Sequence, residues 1–285
     1  MPFGLTVTVI YFCRIGTYTV PCNGYSRMKV PALLFHNVSP DPRGSAPGIT
    51  ISPDQFRELI AWLARSGYTG ISARDWLNAQ NGKAVLPRKP VVVTFDDGYA
   101  SIAEYALPVL RSHGFHATVF VVTGLIGRTN EWDTPRWRTL KLMDADELRF
   151  WATCGVEFGS HSVKHHDLTK LTLSELTHDI PSSCDELAGI VGGQIVSFAY
   201  PYGRHNETVR RVVSKSFPLA FVAHKGTVES KTDPMLCCRI GVLPNYSPER
   251  VGLYLRFASS VGFFARWLRP VRRVVFPKIK AAAIR

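Results

Sequence analysis

The stretch Val91-Val92-Val93-Thr94-Phe95-Asp96-Asp97-Gly98-Tyr99 runs an apolar, β-branched segment into two adjacent carboxylates. Its first half reads as a buried strand. The carboxylates at its end repel one another, and burial raises the cost of ionising them. A bound cation offsets both costs, and Gly98 permits the tight turn that presents them to one. Further on, Glu157 to Ser160 reads as a strand that leads into His161-Ser162-Val163-Lys164-His165. Imidazoles four residues apart can lie on one side of a turn, and neutral imidazole is a common ligand of Zn2+ and similar metals. One carboxylate and two imidazoles leave a position open for water, and the second carboxylate is left over as a base. Alone, a carboxylate pair is most often a solvated loop or a helix cap, and two histidines at this spacing an exposed helix face. Together, each behind a strand, they point to metal-assisted hydrolysis.

Outward from these segments, strands and helices alternate. Val30–Phe35, Thr69–Ser72, Val91–Phe95, Ala117–Val122, Glu157–Ser160, Ile195–Tyr200 and Leu219–Ala223 read as strands. Between them, helices are expected from Pro53 (capped by Ser52, with Phe56, Leu59, Ile60 and Leu63 as its apolar stripe) to Gly67, and over Ala73–Ala79, Ala100–His113, Asp144–Thr153, Leu173–Ile190 and Asn206–Lys215. Residues 41–48 and 127–138 read as loops, the second carrying Trp132 and Trp137. The alternation predicts an α/β fold, an irregular (β/α) barrel of about seven strand–helix units. His36, Asp96, Asp97, His161 and Tyr202 all follow strand ends, which in such a barrel converge on one face.

At 285 residues with 46% apolar content, the chain can bury a sizeable core. Its net charge of +12 lies at its ends: residues 250–285 hold nine Lys or Arg, residues 1–29 hold three, and neither segment has an acid. A neutral middle argues against a nucleic-acid-binding core. The division expected is an N-terminal extension at 1–29 (with Met28 as an alternative start), a catalytic domain at 30–248 and a basic C-terminal helix and tail at 249–285. Within the tail, Val251 to Leu268 is expected to pack on the barrel, with peripheral contact to an anionic membrane as the second reading. Phe3 to Cys13 lacks the preceding positive charge of a secretion signal and is too short to span a bilayer. Six cysteines without a CxxC pair read as reduced thiols. The expected setting is cytoplasmic, with the inner membrane face as the alternative.

Thr94-Phe95-Asp96-Asp97-Gly98, His161-Ser162-x-x-His165 and Phe198-Ala199-Tyr200-Pro201-Tyr202-Gly203 resemble the three signature motifs of the polysaccharide deacetylases, carbohydrate esterase family 4 or the NodB-homology group. The resemblance covers about residues 30–245. It implies that Asp97, His161 and His165 hold a divalent metal, Zn2+ first and Co2+ or Ni2+ next, and that Asp96 is the general base. The reaction implied is attack of metal-bound water on the acetamide of an N-acetylated oligo- or polysaccharide. Tyr202 would offer its backbone N–H to the oxyanion and its ring to the sugar. Two departures stand out. Ala199 occupies the position of the family's base-orienting Arg, for which Arg239 is the candidate substitute. The family's late Leu-x-His motif, source of the general acid, is absent, and His36 and His224 are the remaining candidates. Two other readings keep the motifs: hydrolysis of another non-peptide C–N bond, or a catalytically weak carbohydrate-binding protein.

Overall fold

Period-two alternation along each central strand sends one set of side chains inward and the other towards the helices. In the computed structural model, which describes residues 29–258 except 43–45, 47, 134–138, 224–226 and 230–232, the strands are β1 (Lys29–Phe35), β2 (Asn37–Val38), β3 (Thr50–Ile51), β4 (Thr69–Ile71), β5 (Pro90–Phe95), β6 (Thr118–Val121), β7 (Glu157–Ser160), β8 (Ser197–Ala199), β9 (Leu219–Phe221), β10 (Thr227–Glu229) and β11 (Ile240–Gly241). The helices are α1 (Pro53–Arg65), α2 (Ala73–Gln80), α3 (Ala100–Tyr105), α4 (Leu107–Ser112), α5 (Ala145–Thr153), α6 (Leu173–Val191), α7 (Glu207–Ser216) and α8 (Pro248–Ala258).

Seven strands pair in the order β10-β1-β5-β6-β7-β8-β9, with β4 beside β5 and β11 beside β1. All pairings are parallel except β1 with β10. Beyond β9, a parallel bridge from Phe221 to Cys237 and the pairing of β11 with β1 carry the chain from the last strand back to the first. The result is the expected (β/α) barrel, irregular and built on the parallel sheet. Sequence pattern missed β10 and β11, each too short to carry a period, and β4 lies off the main strand path.

The core divides as the alternation requires. Ala32, Val92, Phe120, Ala199 and Phe221 form an inner cluster, while Leu33, Val91, Val93, Val119 and Phe198 pack outward against helices. Phe35 and Phe95 stack at 5.3 Å, with the Phe56 ring of α1 edge-on at 5.3 Å from Phe35. Ser52 caps α1 through its hydroxyl and Pro53 sits at the first helical position, where its missing N–H costs nothing.

The single helix expected over 100–113 is two. Pro108 has no N–H for the Glu104 carbonyl and its ring crowds that turn, so the chain breaks at Ala106. The described part of the loop expected at 127–138 is not wholly at the surface: Thr129 bridges to Lys141, beside the Tyr99–Leu142 bridge, and Asn130 is buried. At the other end, α8 packs on α1, with Gly252 against Trp62 so closely that a Cβ there would lie 2.2 Å from the ring. Residues 1–28, with Met28, Cys13 and Cys22, and the tail 259–285 lie outside the described residues, and so do Trp137 and His224. No helix among the described residues is long and apolar enough to cross a membrane.

Candidate active site

β5 ends at Phe95, and after Asp96 the chain turns sharply: Asp97 and Gly98 both have left-handed backbones, with φ of 74° and 71°. The four described non-glycine residues with positive φ are Asp97, Ser162, His165 and Tyr202, all within the three motif segments. L-residues rarely adopt this conformation, and it persists only where the surroundings determine it.

The turn aims Asp97 at the end of β7. Its Oδ1 lies 3.4 Å from Nε2 of His161 and 3.4 Å from Nε2 of His165. All three residues are buried. The Nδ1 of His161 donates to the Ala199 carbonyl at 2.7 Å, which leaves Nε2 as a lone-pair donor. Asp97 Oδ1 and the two Nε2 atoms thus converge on one point, an arrangement that could hold a cation. The spacing suits a metal: two ligand atoms at ordinary Zn2+ distances and a tetrahedral angle stand about 3.4 Å apart. Burial pushes the Asp97 carboxyl upward, but hydrogen bonding to His161 and His165 outweighs it and holds the group well below the usual carboxylate range. Burial lowers both imidazoles. In His161 the adjacent Asp97 and Asp96 reverse this to a net rise, whereas His165 stays lowered.

His165 is held differently from His161. Its Nδ1 is buried with no hydrogen-bond partner, and its ring is instead clamped between two aromatics. Trp132 stacks on it at 4.5 Å, and Tyr202 meets it edge-on at 4.5 Å. Tyr202 is 51% exposed at the mouth of the site. The guanidinium of Arg204 lies over the Tyr202 ring and pairs with Asp167 at 2.5 Å, tying the third motif to the segment after the second. Trp132 is a site residue that sequence reasoning missed: its loop has no periodicity, and the only signal was an aromatic in a polar stretch.

Asp96 points inward beneath this centre, where a bidentate pair holds it: Arg239 Nη1 to Oδ1 at 2.6 Å and Nη2 to Oδ2 at 2.8 Å. Arg239 is fully buried, lies between the rings of Phe120 and Phe221, and also donates to Thr94 Oγ1 and the Val222 carbonyl. Burial pushes Asp96 upward, and the Arg239 charge overrides it to a net lowering. Ala199, where the resemblance predicts an Arg, contributes only its carbonyl to His161. The guanidinium comes instead from the segment that leads into β11.

His36 follows β1, and the β1–β5 register sets Phe35 beside Phe95. His36 is thereby brought alongside Asp96. It is partly exposed.

A family profile described as polysaccharide deacetylase matches residues 83–218, a span that contains Asp96, Asp97, His161, His165 and Tyr202. Residues 83–218 belong to the polysaccharide deacetylase family. The chain is 23% identical over 228 residues to the putative polysaccharide deacetylase YxkH of Bacillus subtilis strain 168, covering 80% of this chain and 76% of that one. It is 27% identical over 176 residues to the poly-β-1,6-N-acetyl-D-glucosamine N-deacetylase of Staphylococcus aureus strain MRSA252, covering 59% of this chain. The match spans 58% of that enzyme's length. Among solved structures, the Streptococcus pyogenes deacetylase PplD in complex with acetate superimposes with a TM-score of 0.70 at 25% identity, over 81% of this chain and 99% of that one. The match places residues 83–218 in a family of hydrolases of non-peptide carbon–nitrogen bonds.

Proposed function

We propose that the chain removes N-acetyl groups from an amino-sugar polymer, with a divalent metal, Zn2+ first, held by Asp97, His161 and His165. The observation that carries this reading is the 3.4 Å spacing of Asp97 Oδ1 from both histidine Nε2 atoms, in a buried site with a second carboxylate beneath it. A metal bound there supplies Lewis acidity, which lowers the pKa of water and polarises a carbonyl.

The protein's own groups divide the remaining work. Asp96, kept ionised by Arg239, takes the proton from the attacking water. The fork fixes the carboxylate in orientation, so no side-chain rotation is needed during transfer. The backbone N–H of Tyr202 donates to the oxyanion formed at the acetamide carbon. His36, beside Asp96, gives a proton to the departing amine. Trp132 and Tyr202 flank the site with ring faces and edges suited to a pyranose. The relatives suggest a β-1,6-linked N-acetylglucosamine chain as the first substrate to test.

Asp96→Asn separates chemistry from binding. Acetate release should fall by about two to four orders of magnitude, while Zn2+ affinity stays near that of the unaltered protein. Turnover surviving in Asp96→Asn would remove Asp96 from the base role.

A further inference from the structure

The segment that carries both histidines is wired to one face of α6. We propose that Asp179 and Ser183 are positioning residues for the metal ligands, acting through the backbone between His161 and His165. This rests on the reading that Asp97, His161 and His165 hold a metal.

Ser162 and His165 both have left-handed backbones, with φ of 66° and 57°, so the segment does not keep its shape by local preference. Asp179 Oδ1 accepts from the Val163 N–H at 3.2 Å, in the middle of the segment. A second connection is directional. The Ser162 N–H donates to Ser160 Oγ at 3.2 Å, and Ser183 Oγ donates to the Ile180 carbonyl at 2.8 Å. Each hydroxyl has one proton, so the 2.6 Å contact between the two serines is Ser160 donating to Ser183. The chain of donation runs from the peptide after His161 into the helix. Within the segment, the His165 N–H donates to Ser162 Oγ at 3.0 Å.

The opposite edge is held by the backbone after β6. Thr123 N–H donates to the Ser162 carbonyl at 3.1 Å, and Gly124 N–H to the Val163 carbonyl at 2.9 Å. Gly124 allows this approach, since a Cβ there would lie 2.7 Å from Val163 Cγ1. Thr123 Oγ1 in turn donates to Glu186 of α6 at 2.6 Å. Asp179, Ser183 and Glu186 follow one another at i, i+4 and i+7, a polar stripe on a helix whose Leu176, Ile180 and Leu187 are core residues. Packing alone gives no reason to bury Ser183 in that stripe, because a polar side chain is costly inside unless bonded. Its bonds lead to the ligand segment.

The test is Zn2+ affinity of the full chain, by competition with a chromophoric chelator, with circular dichroism to confirm folding. Asp179→Ala should bind about tenfold more weakly, the range in which outer partners of metal ligands act. Asp179→Asn retains a carbonyl acceptor for Val163 and should stay within about threefold of the unaltered protein. Ser183→Ala, which strands the Ser160 hydroxyl, should weaken binding by a second route, and the absorption bands of the Co2+-loaded protein should move in both alanine variants. Unchanged affinity in both alanine variants overturns the proposal alone, as does Asp179→Asn falling as far as Asp179→Ala. Failure of the unaltered chain to bind Zn2+ overturns the metal reading and the proposal with it.

Discussion

Arg239 and Asp96 are 143 residues apart in sequence and share two hydrogen bonds in the fold. No local pattern announces such a pair; the sequence offered only an Arg downstream and a motif position, Ala199, that lacked one. Asp97, His161 and His165 were legible because each belongs to a short segment whose chemistry is visible in place. Trp132 was not, because its part in clamping His165 depends on where a non-periodic loop comes to rest. The burial of Arg239 makes its removal costly in a specific way. Arg239→Ala leaves Asp96 as an unpaired buried carboxylate, and urea unfolding should show a loss of about 3–5 kcal/mol. Acetate release should fall with it, since the carboxylate then moves upward in pKa and loses its orientation. A loss under about 1 kcal/mol would place the pair on the scale of a surface ion pair and contradict its role here.

At the scale of elements, β1 and β5 were legible from apolar runs, and their ends from the polar residue that follows each, His36 and Asp96. Helix continuity over 100–113 was misread because periodicity persists across Pro108 while backbone hydrogen bonding does not. The end of the barrel remote from the site has a polar device of its own. Glu157 opens β7 and accepts from the Arg74 N–H of α2 at 2.8 Å, from Thr118 Oγ1 of β6 at 2.7 Å and from Ser197 Oγ of β8 at 3.2 Å. Thr118 Oγ1 in turn accepts from the Ala73 N–H at 2.8 Å, so the start of α2 is tied to three strands. Burial raises the Glu157 carboxyl despite these donors. A carboxyl raised on folding binds its proton more tightly in the native state, so its contribution is greatest in acid and is lost as pH rises through the folded value. Unfolding free energy should therefore carry a declining component from about pH 4.3, the ordinary Glu value, upward. Glu157→Gln should remove that component while leaving Zn2+ affinity unchanged. An identical pH profile in the two proteins would show that Glu157 does not titrate differently on folding.

Across the whole molecule, parallel strands bring residues from four separated segments to one rim, and that convergence follows from the fold class alone. The barrel was legible because alternation of strand and helix is a global pattern that survives small errors in element ends. The charge distribution is likewise a property of the full chain: the barrel portion is neutral, and the basic residues lie towards the two ends. Metal-dependent acetate release is what ties this fold to one reaction. The full chain, stripped of metal, is incubated with a β-1,6-linked N-acetylglucosamine oligomer and then reconstituted with Zn2+. The stripped protein should release no acetate, and Zn2+ should restore release. No acetate from this or any other N-acetylated oligosaccharide with Zn2+, Co2+ or Ni2+ supplied would contradict the proposed function.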